Sequence, residues 1–365
     1  MKRTAVLLFC AAVCAVASWG AEYPSCVRAS LEKGIEYLLS QQDPEDGSFS
    51  DPQMPALTAL PMWALHRAGR EIQSAKCEKA VALAGKFVMG CQRGDGGFYV
   101  PKPGRGGSGL GNYNTCVCAS ALSETGLAPA SVILKARKYI ASGQLTGDDT
   151  LAGGFGYDRV SRRRYADLNN TVYAMDAMRR TEKAEEFRVS GADKTDINWN
   201  KALDYISSLQ EKEGPDAGGF RYNNRTPQAG TSTNSTGRVK LRAYGSMTYA
   251  GILAMVHAKL DKSDPRVRSA LDYASRHWTV DENPGMGLEG LFFYYDILSR
   301  ALAASGVAQI PSGGEKAVDW KKELALKLVS LQREDGSWRN ENNRFWEGDG
   351  VLATSFAVLA LTLCE

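Results

Sequence analysis

The sequence predicts an all-α chain in which two kinds of helix alternate and close into a double ring of six pairs. The first observation is a recurring Gln–Asp–Gly–aromatic turn: QQDPEDGSF from Gln41, CQRGDGGF from Cys91 and LQREDGSW from Leu331. Looser copies stand at QLTGDDTLAGGF from Gln144 and QEKEGPDAGGF from Gln210. The second is what surrounds each turn. An amphipathic stretch precedes it, as in Val27, Leu31, Ile35 and Leu38 or Leu324, Leu328 and Leu331, where apolar residues recur at helical spacing. A stretch apolar on nearly all faces follows it. Such units cannot hide their apolar faces singly and must stack side by side, with the apolar helices inside and the amphipathic ones outside.

The order of elements follows from one register. PALTALPMWALHRAG, NTCVCASALSETG, NNTVYAMDAMRRT, SMTYAGILAMVHA, FFYYDILSRALAASG and ATSFAVLALTLCE align on Thr58, Thr115, Thr171, Thr248, Tyr295 and Thr354, each ahead of a Leu or Met. The unit beginning near Pro265 is the weakest, because DENPGMGLEG replaces the usual turn. Two inserts interrupt the period: a charged one from Thr181 to Ile197, and a Gly-rich one from Ser305 to Val318 that contains a proline.

Ahead of the repeats, Lys2 and Arg3 precede an apolar run from Ala5 to Val16 and then small residues, the three-part pattern of a secretory signal peptide. The expected organisation is a signal peptide over 1–21, then a single domain over 22–365, exported to the periplasm or the medium. No later stretch reaches the roughly 18 uninterrupted apolar residues of a membrane span. The composition, 44% hydrophobic and 23% charged, is that of a globular protein, and a net charge of +3 demands neither nucleic acid nor an anionic membrane. Membrane contact is expected to be peripheral at most. The mature chain keeps Cys26, Cys77, Cys91, Cys116, Cys118 and Cys364. An even count permits disulfides, with about 15 pairings open, and Cys116 and Cys118 are read equally as buried apolar thiols.

The turns QREDGSW and QRGDGGF resemble the repeats of squalene and oxidosqualene cyclases and of protein prenyltransferase β subunits, and the resemblance spans essentially the whole mature chain. It implies an α/α toroid. It also implies structural duties for Gln92, Asp95, Phe98, Gln332, Asp335 and Trp338, the glutamine capping an inner helix and the aromatic packing on the next turn. Asp167-Leu168-Asn169-Asn170 occupies the place of the Asp-x-Asp-Asp motif of the cyclases, whose middle Asp is the proton donor. Here that position is Asn169, which has no ionisable proton near neutral pH. Asp167 is left with two readings, an acid raised in pKa by burial or a helix N-cap.

The zinc chemistry of the prenyltransferases is not expected. Near GRVKLRAYGSMTYAGILAM the ligand positions fall on Ala243 and Gly245, and His66, His257 and His277 do not converge with other donors. No cofactor is implied, and no nucleophile elbow, phosphate loop or dinucleotide fingerprint is present.

The inner-helix starts and the loops before them form the rim of a central cavity, and helix N-termini suit anions. The candidate catalytic residues there are Asp167 and Asp349. The candidate ligand-binding residues are Tyr113, Asn169, Asn170, Tyr173, Arg238, Lys240, Tyr244, Phe293, Tyr295 and Trp346. The aromatics point to an apolar or isoprenoid-like small molecule, held by faces that also stabilise cations. The basic residues Lys102, Arg105, Arg159, Arg162, Arg163, Arg164, Arg238, Lys240 and Arg242 are read either as an anion site or as a solvated loop face. Three functions remain open: a divergent terpenoid cyclase or transferase, a non-catalytic lipid- or protein-binding scaffold, and a carbohydrate-active toroid. The last needs a carboxylate pair, for which Asp167, Glu289, Glu347 and Asp349 are the candidates.

Overall fold

Six apolar stretches become the inner helices: α2 (Ala56–Glu71), α4 (Gly111–Thr125), α6 (Leu168–Arg180), α8 (Gly245–His257), α10 (Leu291–Ser305) and α12 (Gly350–Leu361). Six amphipathic stretches become the outer ones: α1 (Trp19–Gln41), α3 (Ala75–Gly90), α5 (Ala130–Ser142), α7 (Trp199–Ser208), α9 (Pro265–Arg276) and α11 (Trp320–Leu331). The structure, a computed structural model, describes residues 19–101, 109–159, 164–233, 237, 239–311 and 317–364, with side chains from Ser25 onward. The apolar run of the expected signal peptide lies outside the described residues, as do Lys102, Arg105, Arg162, Arg163 and Arg238.

Each inner helix packs on the next, from α2 through α4, α6, α8 and α10 to α12, and α12 returns to α2. The inner helices therefore close a ring. Every residue of α12 is buried, whereas α11 buries only Trp320, Leu324, Ala325 and Leu328, one stripe of its surface. The first insert forms a short 3-10 segment, Glu182–Phe187, and two short strands, β1 (Thr231–Thr233) and β2 (Val239–Leu241), make an antiparallel hairpin before α8.

The recurring turn does three jobs. Its glycine has a positive φ in Gly47, Gly96, Gly153, Gly218 and Gly336, and a β-carbon there would strike the backbone of the next outer helix. Its glutamine donates to the turn carbonyl and to a carbonyl of that same outer helix or its N-cap. Gln92, for instance, reaches Gly96 O at 3.1 Å and Val132 O at 2.9 Å. Gln332 reaches Gly336 O and Ser30 O, which joins the end of the chain to its beginning. The glutamine thus links consecutive outer helices, where the resemblance implied a cap on an inner one. Its amide donates to those two carbonyls, and the bond to the inner helix is made by the aromatic residue instead.

The aromatic backbone N–H donates to the register threonine of the following inner helix: Phe49 to Thr58, Phe98 to Thr115, Phe155 to Thr171, Phe220 to Thr248 and Trp338 to Thr354, all at 2.9–3.1 Å. A buried N–H left without that acceptor would cost about 1–3 kcal/mol, so threonine at this position is an anchor and not merely a small residue. The exception is the unit read as weakest. Tyr295 stands in the threonine register and donates its hydroxyl to Val280 O at 2.6 Å, fastening the DENPGMGLEG segment by another route. There α11 joins through Glu323, which accepts from Trp278 Nε1, and through Lys327, which pairs with Asp281.

Cys77, Cys91, Cys116 and Cys118 are free thiols. Cys116 and Cys118 are fully buried in α4, and burial pushes both well above the usual thiol range.

Candidate functional site: an aromatic cavity at the inner-helix N-termini

The ring is open where its inner helices begin, and a cavity of about 280 Å³ lies there. Its inner wall comes from the first two turns of the inner helices. Tyr113, Tyr173, Phe293 and Phe356 succeed one another across α4, α6, α10 and α12, with ring centroids 5.0, 6.5 and 6.0 Å apart, the first and last contacts edge-to-face and the Tyr173–Phe293 contact stacked. Leu57, Met247 and Leu352 fill the spaces between them, and the loops add Met54, Met286, Phe345 and Trp346. The polar members are few: Asn169, Gln228, Ser246, Asn283, Glu289, Arg344 and Glu347, with the hydroxyls of Tyr157, Tyr222 and Tyr244.

Six helix N-termini meet at this mouth, and the chain itself supplies a side-chain acceptor to five of them, α4 being the exception. Asp167 caps α6 by accepting from Asn170 N at 2.7 Å. Asp349 caps α12 through Val351 N and Leu352 N. Glu347, 1% exposed, accepts from the backbone N–H of Phe292 and Phe293 at the start of α10 and from Asn340 Nδ2. Asn283 Oδ1 receives Ser246 N at α8, and Asn114 Oδ1 receives Ala56 N at α2. At these five starts, N–H groups expected to welcome an anion are therefore already bonded.

These bonds correct several sequence expectations. Asp349 is a cap and does not line the cavity. Asp167 is wholly buried behind the wall, its second oxygen accepting from Asn170 Nδ2 at 2.8 Å. Burial raises its pKa to about 6 against the pull of the Asn170, Tyr222 and Tyr165 hydrogen bonds. The carboxyl is thus both cap and raised acid, but it has no direct face on the cavity. Asn170 is buried beside it, outside the lining. Tyr295 is turned away by its bond to Val280. Lys240 sits on the β hairpin and pairs with Glu213 at 2.7 Å, outside the cavity. The other described basic residues are also engaged, Arg159 with Asp95, Arg164 with Asp149 and Arg242 near Asp216. Tyr113, Asn169, Tyr173, Tyr244, Phe293 and Trp346 do line the cavity.

Of the four carboxylates considered as a glycosidic pair, three are caps, and Glu289 is paired with Arg344 at 2.9 Å. No free carboxylate couple faces the cavity among the described residues. Sequence reasoning passed over Tyr157, Tyr222, Met286, Arg344 and Phe345, all on loops whose paths the repeat does not dictate. The one available signal was their aromatic and Met content in otherwise polar loops.

Below the cavity the ring is filled by charge. Asp176 of α6 receives Arg180 Nε at 2.9 Å, Arg300 at 2.5 Å and lies 2.8 Å from His257 Nε2. Arg300 also reaches Asp296 at 3.2 Å, and Arg67 and Arg180 share Glu124. The guanidiniums of Arg67, Arg180 and Arg300 surround the Trp63 ring at 4.9–5.9 Å. Burial opposes the charge of Asp176, yet Arg180, Arg300 and His257 hold it well below the usual carboxylate range. Asp296, with burial dominant, is raised.

No family model matches the sequence, and no curated protein does. Solved structures do resemble the chain. A variant of the type II terpene cyclase MstE from Scytonema, in complex with merosterolic acid A, superposes with a TM-score of 0.58 at 13% identity, covering 94% of this chain and 98% of that one. An inactive variant of the α-1,6-mannanase GH76A of Salegentibacter, in complex with α-1,6-mannotriose, gives 0.58 at 11% identity over 93% and 100%. A protein from Actinoplanes gives 0.55 at 14% identity over 93% and 99%. Two chemistries on one scaffold mean that the likeness fixes architecture and leaves the reaction to the site: the chain is an α/α toroid.

Proposed function

We propose that this is an exported toroid that binds a small, predominantly apolar, isoprenoid-like molecule in its central cavity, on the terpenoid-cyclase side of the fold rather than the mannanase side. The observation that carries this reading is the wall itself. Aromatic, Met and Leu side chains dominate it, while the nearby carboxylates are consumed as helix caps or in an ion pair. A sugar needs convergent polar groups and a carboxylate couple. An apolar ligand needs the surface this cavity offers. The MstE structure holding a terpenoid product lends the ligand class its precedent. Direct protonation of the ligand by Asp167 is not part of the reading, since the carboxyl lies behind the wall and Asn169 occupies the motif's donor position.

The test is equilibrium binding of the hydrocarbon farnesene and of α-1,6-mannotriose to the purified protein, with Leu57→Trp as the cavity-filling variant. Farnesene is expected to bind, and Leu57→Trp to weaken it at least tenfold with the helical circular dichroism intact. Binding of mannotriose without farnesene, or unchanged farnesene binding in a folded Leu57→Trp protein, would sink the proposal. Export is checked separately, by fractionating cells that express the full chain and sequencing the N-terminus of the exported product.

A further inference from the structure

The cavity has two unlike flanks. Around the closed ring of six, α6 and α8 are neighbours, with α12 across from α6 and α2 across from α8. From α12 and α2 the wall takes Leu352, Phe356 and Leu57, with no polar atom among their side chains. From α6 and α8 it takes, besides Tyr173 and Met247, Asn169 and Ser246, each the second residue of its helix. The segment that precedes α8 straps these two starts together: Tyr222 O accepts from Leu168 N at 2.8 Å, and Phe220 O accepts from Tyr244 N at 3.2 Å. Gln228, on the loop that continues from this strap, lines the cavity as well.

The polar groups of this flank are not used up by the fold. The side-chain amides of Asn169 and Gln228, both half-buried, bond to no described residue. Ser246 Oγ receives Asn283 Nδ2 at 3.2 Å and gives its own proton to no described residue. The charged lining groups are in the opposite condition. Glu289 and Arg344 meet each other, and Glu347 is spent on the backbone of α10 and on Asn340. A hydrocarbon filling the cavity would strip water from Asn169 and Gln228 and return no hydrogen bond, while a charged head would find no unpaired counter-charge. A carboxamide both donates and accepts, and so does a hydroxyl.

We infer that the cavity takes its ligand in one direction: an amphipathic molecule whose uncharged hydroxyl head meets Asn169 between α6 and α8, and whose hydrocarbon tail lies against α12 and α2. Asn169 is the residue that sets this specificity. The inference rests on the reading of the cavity as an apolar-ligand site. Because the Asn169 side chain makes no bond that the helix needs, its replacement removes the head contact and leaves the cap of α6 on Asp167.

Three ten-carbon probes test it by calorimetry at pH 8: geraniol, the geranate anion and the hydrocarbon 2,6-dimethyl-2,6-octadiene. Geraniol is expected to bind roughly tenfold more tightly than either of the others, the size of one added hydrogen bond. Asn169→Leu should bring geraniol down to the level of the hydrocarbon while hydrocarbon affinity falls by no more than about twofold. Asn169→Ala, a smaller change, should do the same. Leu57→Trp, at the tail end, should weaken geraniol and the hydrocarbon alike and keep their ratio. Geranate binding as tightly as geraniol, hydrocarbon binding with no preference for geraniol, or a preference that survives in both Asn169 variants overturns this inference and leaves the cavity reading standing. A ratio lost in Leu57→Trp overturns the direction of the ligand, and failure of all three probes to bind overturns both readings.

Discussion

The two ends of the same six inner helices are built on opposite principles. At the N-terminal end the walls are aromatic and aliphatic, and each acid that approaches them is tied to backbone N–H groups or to a surface arginine. Below the cavity, five of the six helices send charged or cation-binding side chains inward: Trp63 and Arg67 from α2, Glu124 from α4, Asp176 and Arg180 from α6, His257 from α8, Asp296 and Arg300 from α10. The contrast teaches where a ring of this kind can afford a hole. Charges paired with one another fill the lower half, and the upper half is left lined mainly by aromatic, Met and Leu side chains.

The sharpest way to break this contrast is at Asp176, which accepts from three cationic or imidazole partners at once. Asp176→Ala would take from buried Arg300 the closer of its two carboxylates, leaving it Asp296 alone, and from Arg180 one of its two, and breaking such a buried pair costs up to about 3–5 kcal/mol. Urea unfolding followed by circular dichroism should show a midpoint shift of that size. Replacing the pair together, Asp176→Leu with Arg300→Met, should recover much of the loss, because an apolar pair has no stranded charge. If the single variant costs under about 1 kcal/mol, the lower half is not held by these charges.

How much of this was legible in the sequence depends on whether the signal is local. The turn glycine, its glutamine and the register threonine repeat at matching places, so the alternation of helices and the closure of the ring could be read before any coordinates. The cavity residues that begin inner helices, such as Tyr113, Tyr173 and Phe293, came from the same register. Tyr157 and Tyr222 did not, since they stand on loops of unequal length that meet only because α6 and its neighbours close the ring. The acids misled for a different reason. Asp349 and Glu347 look alike as catalytic candidates and as caps until their N–H partners are seen. The charged lower half was hinted at by lone acids and arginines inside apolar stretches, at the i, i+4 spacing of Asp176 with Arg180 and Asp296 with Arg300. Ring closure was needed to show that the two pairs share a partner.

Asp167 sharpens the comparison because, like Glu347, it is a buried acid of the upper half that no cation offsets. Its neighbours are the Asn170 amide and the Tyr165 and Tyr222 hydroxyls, with no charged group among them. With a folded pKa of about 6, above the unfolded value, it stabilises the protein fully below about pH 4 and loses that contribution as pH rises through 6. The lost share is about 3 kcal/mol above pH 7. Asp167→Asn keeps a capping side chain and removes the ionisation. Its stability relative to the parent should therefore climb between about pH 4 and pH 6 and level off beyond. A difference that stays flat across that window would mean that Asp167 is not raised. Asp176, held low, contributes in the opposite sense at lower pH in both proteins and cancels from the difference.

The smallest effect belongs to the ion pair at the mouth, and it is the control for the other two. Arg344 meets Glu289 at 2.9 Å and lies over Phe345 at 5.6 Å, but its side chain is 50% exposed. An exposed pair of this kind contributes about 0.2–1 kcal/mol and is screened by salt. Arg344→Ala should lower stability by no more than that in dilute buffer and by almost nothing in about 1 M salt, where the Debye length falls to roughly 3 Å. Asp176→Ala should keep most of its cost at the same salt, because solvent ions do not reach the buried cluster. Equal salt sensitivity of the two variants would erase the distinction between a closed, charge-filled lower half and an open, apolar upper one. A large, salt-resistant loss in Arg344→Ala would instead make the mouth itself a structural joint, and the cavity behind it a closed compartment.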